Sequence, residues 1–149
     1  MPSIFDPTIF QSQDLELHAR LIRQGIELKH IDKPLFLVRK AAGSISGGLL
    51  EGNAKLLASY IEVRRRILAM QFDAEVMVYF IKQLLFALRI ALGKKEYRLC
   101  TDVFLAIEPY KHVLSKRQLK QYHRAKRTFN LVRLFGFGET RLKRYLTID

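Results

Sequence analysis

The stretch Val76–Leu92, VMVYFIKQLLFALRIAL, decides the fold class that this sequence predicts. It is apolar on nearly every side of a helix, and such a helix is buried in a protein core or spans a membrane. Lys82 and Arg89 interrupt the stretch, and it falls short of the roughly 20 apolar residues that a span needs. We therefore predict the central, buried helix of a mainly α protein.

Helices are also predicted on both sides of this central one, from the spacing of apolar residues and from capping and stop signals. Including the central helix, they cover Gln13–Gln24, Asn53–Met70, Ala74–Leu92, Lys95–Ile107 and Lys116–Phe135. Ser12, Asp73 and Ser115 precede three of them and are residue types that cap helix N-termini. The short connections after residue 49 predict a run of antiparallel helix hairpins.

The segment after the first helix has a different pattern. Ile26–Ile31 alternates apolar and polar residues, as a strand does, and Leu35–Arg39 is a short apolar run after a turn at Pro34. Ala41–Gly48, AAGSISGG, is typical of a flexible loop. We predict a short two-stranded β unit here, directly after the first helix.

The composition is that of a folded domain, with 49% hydrophobic and 27% charged residues among 149. We predict two parts: an α+β remnant in residues 1–48 and a basic helical extension in residues 49–149. The one cysteine, Cys100, lies in an apolar run and is interpreted as a packed core residue. A single cysteine and a start that lacks the pattern of a secretory signal predict a cytoplasmic protein.

Positive charge is concentrated near the end of the chain. The formal net charge is +12, and the segment from Lys111 to Asp149 holds eleven Lys and Arg against two acidic residues, a net of +9. Such asymmetry predicts a polyanionic partner, either a membrane surface, a nucleic acid or an acidic substrate, unless the basic face is merely solvated. The candidate contact residues are Lys116, Arg117, Lys120, Arg124, Lys126, Arg127, Arg141, Lys143 and Arg144.

Two of these partners make different demands on the helix Lys116–Phe135. For RNA, the cations would contact phosphates, and the interleaved Tyr122 and His123 would stack on bases. For an anionic membrane, apolar residues near the end of the helix would enter the headgroup boundary. Those apolar residues are Phe129, Leu131, Val132, Leu134 and Phe135. The residue types leave both partners open.

The chain contains none of the common short motifs for nucleotide or metal binding. There is no G-x-G-x-x-G, P-loop, H-E-x-x-H, C-x-x-C or Asp-x-Asp. The four histidines, at positions 18, 30, 112 and 123, do not have the spacing of metal ligands. We therefore predict no metal site in this chain.

A series of short motifs follows one another from Gln13 to Ser46. An acidic helix start precedes an apolar helix that ends in Gly, a strand, a Pro-Leu pair, an apolar-Arg pair and a Ser-x-Ser loop. They are Gln13-Asp14-Leu15-Glu16-Leu17, Arg20-Leu21, Gly25, Ile31, Pro34-Leu35, Val38-Arg39 and Ser44-Ile45-Ser46, preceded by Phe5-Asp6. Their order and spacing resemble the acceptor-side end of the catalytic domain in family 2 glycosyltransferases, which are inverting enzymes of the GT-A type.

The resemblance implies transfer of a sugar from a nucleotide-sugar to a glycan or lipid-linked acceptor, in the synthesis of a bacterial surface polysaccharide such as lipopolysaccharide or capsule. Asp14 matches the family's catalytic base, which deprotonates the acceptor hydroxyl; the alternative is an ordinary first-turn helix residue. Arg39 would contact a phosphate of the nucleotide or the lipid carrier, or is a surface charge. Ser44 and Ser46 would line the donor site, or simply end the strand.

The chain departs from the family at three points. Gln13 occupies the first acidic position, and Ala41 stands where many members have His. The nucleotide-binding half, with the Asp-x-Asp that holds a metal and the sugar diphosphate, has no counterpart, so we expect the C-terminal part of a truncated, split or cut enzyme. Such a part would be inactive alone. Nucleotide-sugar, acceptor and a divalent metal, Mg or Mn, would bind only when the missing half is present.

Three expectations remain open from the sequence. The basic extension would bind the cytoplasmic face of the inner membrane peripherally, with nucleic acid as the other candidate partner. Apolar surface left where the missing half would lie would favour self-association. The alternative to the glycosyltransferase is a non-enzymatic, basic helical module, and the sequence does not decide whether the chain is an enzyme.

Overall fold

The structure, a computed structural model, describes residues 4–27, 29, 32–33, 48–49 and 51–136. All regular secondary structure in this part of the chain is helical, which confirms the predicted mainly α fold class. The longer helices are α1 (Gln13–Arg23), α2 (Ala54–Ala69), α3 (Ala74–Gly93), α4 (Tyr97–Ile107) and α5 (Lys116–Phe135), and a 3₁₀ helix (Glu108–Val113) joins α4 to α5. The predicted helix ends agree with these bounds to within two residues.

The predicted β unit lies largely outside the described residues. Of the first strand, Ile26, Glu27 and Lys29 are described, and they do not belong to a strand. The second strand, Leu35–Arg39, falls wholly outside them. The two-stranded unit therefore stays a prediction, as does the boundary between residues 48 and 49.

α3 is the central helix, as the sequence predicts. It packs against both α2 and α4, and Leu84, Leu88 and Leu92 on it are fully buried. Among the described helices, only α3 is long and apolar enough to span a membrane, and 50% of its most apolar window is buried inside the protein. A core helix passes the same test of length and hydropathy, so this finding is weak evidence for a span.

Short connections join α2, α3 and α4. Asp73 caps α3 by accepting a hydrogen bond from the Val76 amide at 2.9 Å, as its residue type predicts. α3 ends at Gly93, and Lys95, with a φ of 59°, lies in the turn into α4. After α4 the chain continues as the 3₁₀ helix, in whose first turn Pro109 is tolerated because that position needs no amide donor.

α5 packs on α4 through one of its sides. A reciprocal capping box between Ser115 and Gln118 starts the helix. The rings of Tyr122 and Phe129 lie 5.8 and 5.3 Å from the ring of Phe104 on α4. The opposite side of α5 is exposed along its whole length. α5 therefore presents one complete face to the surroundings.

The segment before α1 is attached to α2 by polar contacts between residues far apart in sequence. Arg66 donates a hydrogen bond to Asp6 across a 2.6 Å ion pair. The Ser59 hydroxyl accepts hydrogen bonds from the amides of Phe10 and Gln11 at 2.8 and 3.1 Å. These contacts position the beginning of α1 against α2, and thereby the predicted base, which lies in the first turn of α1.

Candidate functional site

Asp14, the predicted base, lies in the first turn of α1 with an exposed side chain. The unpaired amides of a first turn and the helix dipole both favour a carboxylate in this position. An exposed carboxylate can accept a proton from a hydroxyl group that comes within hydrogen-bond distance. The predicted base is therefore accessible to a substrate.

Ser12, immediately before α1, does not cap the helix, and the capping prediction for it is wrong. Its side chain accepts no hydrogen bond from the first turn, and its backbone has a left-handed conformation with φ 63° and ψ 31°. That conformation is strained for a residue with a Cβ atom. The Ser12 hydroxyl instead accepts a hydrogen bond from Arg64 Nη1 at 2.7 Å. A tertiary contact with α2 thus replaces the local cap.

Arg64 is the buried charge of this corner, with 6% of its surface exposed. Its guanidinium lies over the Tyr60 ring, 3.4 Å from the ring centroid, and its Nε atom has no hydrogen-bond partner among the described residues. No carboxylate of a described residue forms an ion pair with it. Burial lowers the pKa of Arg64. The nearby Tyr60 and, more weakly, the charge of Asp14 act in the opposite direction and raise this pKa.

Tyr60 extends the polar corner from α2 to α3. Its hydroxyl donates a hydrogen bond to Gln83 Oε1, and burial raises the pKa of Tyr60. The chain of contacts from Ser12 through Arg64 and Tyr60 to Gln83 therefore links α1, α2 and α3. It holds the beginning of α1 in one position without using Asp14 itself.

Gln13 occupies the position at which the resemblance expects an acid. Its side-chain amide donates a hydrogen bond to the Ile9 carbonyl at 2.5 Å and lies 3.4 Å from the Asp6 carbonyl. The amide group can donate in this way, whereas a carboxylate would repel both carbonyl oxygens. Gln13 is therefore a structural contact to the segment before α1, and Asp14 is the acid that remains exposed in this corner.

The second acid of the first turn, Glu16, differs sharply from Asp14. Glu16 is 5% exposed and pairs with Arg20 at 3.3 Å. Arg20 also donates a hydrogen bond to the Ile4 carbonyl at 2.9 Å. Because Glu16 is engaged in the packing of the segment before α1, Asp14 is the better candidate for chemistry.

Most of the predicted cations of α5 lie on its exposed side. Lys116, Arg117, Lys120, Arg124 and Arg127 are all exposed. Most of them line a shallow surface depression of about 520 Å³ together with His123 and Leu119. Within α5 the sequence contains no acidic residue, so this side of the helix has only positive and neutral side chains.

Lys126 differs from the other cations of α5. It is half-buried, and its ammonium group lies 2.6 Å from Glu108 Oε2. Lys111 donates to the other oxygen of the same carboxylate at 2.6 Å. These two lysines and the Tyr122 hydroxyl lower the pKa of Glu108 to about 2. Lys126 is thus engaged in an internal contact between α5 and the 3₁₀ helix.

Three residues of α5 that were assigned to partner contacts are core residues instead. Tyr122, the predicted RNA-stacking residue, is fully buried, and its hydroxyl lies 2.9 Å from Glu108 Oε2. Phe129 and Val132, predicted to enter a membrane, are 2% and 1% exposed. Their positions repeat at the three- to four-residue spacing of the side that packs on α4. The helical periodicity therefore places these three residues on the buried side of α5.

Sequence reasoning missed Arg64 as part of the site. In the run Arg64-Arg65-Arg66, which was assigned no role from the sequence, Arg64 is buried and Arg66 is partly buried in its contact with Asp6. Of the three arginines, only Arg65 is exposed, and it pairs with Glu62 on the same helix. A signal was present, because Arg64 follows Tyr60 by four residues and so lies on the same buried side of α2.

The remaining predicted site residues lie outside the described part of the chain: Arg39, Ser44, Ser46, Arg141, Lys143 and Arg144. Among the described residues, no group of three or more His, Cys, Asp or Glu lies close enough to hold a metal ion. The sequence also has no Asp-x-Asp, so the described residues provide no ligand set for the divalent metal that the resemblance implies for a complete enzyme.

No protein-family model, curated protein or solved structure matches this chain. Neither its family nor its activity is therefore given by similarity to a known protein.

Proposed function

We propose that this chain is the acceptor-side, C-terminal part of an inverting glycosyltransferase of the family 2 type. The observation that carries the proposal is the ordered series of motifs from Gln13 to Ser46. Two features of the structure support it: Asp14 is exposed at the first turn of α1, and a buried network around Arg64 holds that turn in place. A base held by rigid neighbours is what proton abstraction from an acceptor requires.

In this proposal Asp14 accepts the proton of the acceptor hydroxyl. At the same time, the oxygen of that hydroxyl attacks the anomeric carbon of the donor sugar. The nucleotide diphosphate leaves with the bonding electrons, and the configuration at the anomeric carbon inverts. Ser12, Tyr60 and Arg64 position the helix turn and do not contact the reacting atoms. The donor and its metal would bind on a segment that these 149 residues do not include.

The first test is the coding DNA upstream of this chain. A segment encoding βαβ units and an Asp-x-Asp, in frame or shifted in frame, would support the proposal, and its absence from the genome would count against it. The chain alone should not turn over nucleotide-sugars, so efficient turnover by the purified 149-residue protein would contradict the proposed division of the site.

The second test is the substitution Asp14→Asn in the chain joined to that upstream segment. Loss of the base should lower kcat by about 10²- to 10⁴-fold. Glu75→Gln is the matched control, because Glu75 is also an exposed acid in the first turn of a helix, α3. An unchanged kcat for Asp14→Asn would remove Asp14 from the mechanism.

The second candidate is a non-enzymatic, basic helical module, which the acid-free exposed side of α5 favours. In this case Asp14→Asn would have no effect in any transferase assay, while binding to a polyanion would persist. The two candidates are distinguished by activity and not by binding, since a glycosyltransferase of this type would also contact an anionic surface.

A further inference from the structure

One continuous stripe of α5 changes character along its length. It consists of Lys116, Lys120, Arg124, Arg127, Leu131 and Leu134, which we call the α5 stripe. At 3.6 residues per turn these six positions fall within about 80° of the helix circumference and extend over about 27 Å. The stripe is therefore one narrow face, basic for its first three turns and apolar at its end.

Both ends of the α5 stripe are available for contact. The four cations are exposed, and none of them pairs with a described carboxylate. Leu131 and Leu134 are 52% and 70% exposed. Covering large apolar side chains with this exposure would remove apolar surface from water, which is favourable in free energy. The stripe thus combines four cations that have no described carboxylate partner with two exposed leucines.

The structure distinguishes between the polyanions that the sequence left open. A nucleic acid offers phosphates to the cations, but single-stranded binding also relies on aromatic platforms, and Tyr122 is buried under α4. Of the aromatic side chains interleaved with the cations, only His123 is exposed. A nucleic acid also provides no apolar layer next to its phosphates for Leu131 and Leu134.

An anionic bilayer matches both ends of the α5 stripe. Lipid phosphates and acidic headgroups complement the four cations, and the hydrocarbon just beneath them accepts exposed leucines. We propose that the α5 stripe is a peripheral docking surface for an anionic lipid bilayer. The cations lie at the headgroup level, and Leu131 and Leu134 enter the boundary below it. This inference does not depend on the glycosyltransferase proposal and holds equally for a non-enzymatic module.

The test measures binding of the full chain to phosphatidylcholine vesicles with and without phosphatidylglycerol, at low salt and at about 1 M salt, where the Debye length falls to about 3 Å. We expect binding only to the anionic vesicles, with strong weakening by salt. Equal binding to neutral vesicles would overturn the role of the cations. No binding to either kind of vesicle would overturn the whole proposal.

Charge reversal distinguishes the contribution of the α5 stripe to vesicle binding from the contribution of the net charge of the protein. Lys120→Glu with Arg124→Glu should weaken binding to anionic vesicles at least about 25-fold, from about fivefold for each cation near an anionic surface. Arg89→Glu with Arg98→Glu is the control, since both residues are exposed on other helices and the change in net charge is the same. An equal loss in the control would show that only net charge acts.

The apolar end of the α5 stripe has its own test. Leu131→Ser with Leu134→Ser should weaken binding to anionic vesicles about tenfold, while binding to a single-stranded polyuridine is unchanged. Circular dichroism should show wild-type helix content, because both side chains are exposed. Binding of wild type to polyuridine as tightly as to anionic vesicles, at the same salt concentration, would overturn the assignment to lipid.

Discussion

The basic runs in α2 and in α5 differ in whether their cations have partners within the protein. In α2 each arginine of Arg64-Arg65-Arg66 has an internal partner: Ser12 and Tyr60 for the first, and carboxylates for the other two. In α5, the four cations of the α5 stripe have no described carboxylate within ion-pair distance, whereas Lys126 is paired with Glu108. Runs of similar composition therefore make contacts within the protein in α2 and leave most of their cations exposed in α5.

The cause of this difference is the supply of acids. α2 contains Glu62, one turn before Arg65 and Arg66, and the segment before α1 adds Asp6. α5 contains no acid, and Glu108, which contacts it from the 3₁₀ helix, approaches near the buried side. Among the described residues, the α5 stripe therefore has no acid to neutralise its cations.

The largest effect is expected at Arg64. Arg64→Ala should lower the free energy of unfolding by about 2 kcal/mol, because it opens a cavity against Tyr60 and removes the hydrogen bond to Ser12. Arg64→Met should cost less than about 1 kcal/mol, since it keeps most of the volume and removes a buried charge without a carboxylate partner. Urea unfolding measures both. An Arg64→Ala variant as stable as wild type would show that the internal partners of Arg64 do not stabilise the fold, and would contradict the contrast between α2 and α5.

An acid titration tests the contact between α5 and the 3₁₀ helix. The pKa of Glu108 is about 2 in the folded protein against an ordinary 4.5, so its stabilising contribution is complete above about pH 5 and is lost as pH falls toward 2. Glu108→Gln should therefore lose less stability than wild type over this window, measured by thermal unfolding. Glu75→Gln, which makes the same change in charge on the exposed side of α3, is the control.

A smaller effect is expected at Arg66. Arg66→Ala removes partly exposed ion pairs to Asp6 and Glu62 and should lower the free energy of unfolding by up to about 1 kcal/mol. The loss should shrink in high salt, because exposed pairs are screened. A loss as large as that of Arg64→Ala would mean that the segment before α1 depends on this pair more than on the buried network.

The smallest effect on stability is expected on the α5 stripe. Arg124→Ala should change the free energy of unfolding by no more than about 0.5 kcal/mol, because the side chain is exposed and has no described ion-pair partner. The same urea unfolding experiment measures it. A destabilisation above about 1 kcal/mol would show that α5 uses its cations internally, as α2 does, and would remove the contrast between the two helices.

Much of the helical architecture was predictable from local pattern. The caps at Asp73 and Ser115 and the end of α3 at Gly93 follow from interactions within a few residues. At Ser12 the same reasoning failed, because a long-range hydrogen bond from Arg64 outweighed the local cap. Local rules hold where no distant group competes for the same atom.

The candidate site was only partly predictable. The exposure of Asp14 agrees with its place in a first turn, but nothing in the sequence near Asp14 points to the network of Tyr60, Arg64 and Gln83 behind it. Those residues are 46 to 69 positions away along the chain. Only packing of α1 on α2, and of α2 on α3, brings them together.

By itself, the sequence determined the helices, the central place of α3 and the excess of positive charge in α5, because apolar period, capping and charge are properties of short stretches. Only the tertiary structure decided which charged side chains are buried or paired within the protein and which are exposed. It buried Arg64 and Tyr122 and left Asp14 and the α5 stripe exposed. The physical reason is that a side chain's partners depend on which helix face meets a neighbour, and that is settled by packing between distant segments.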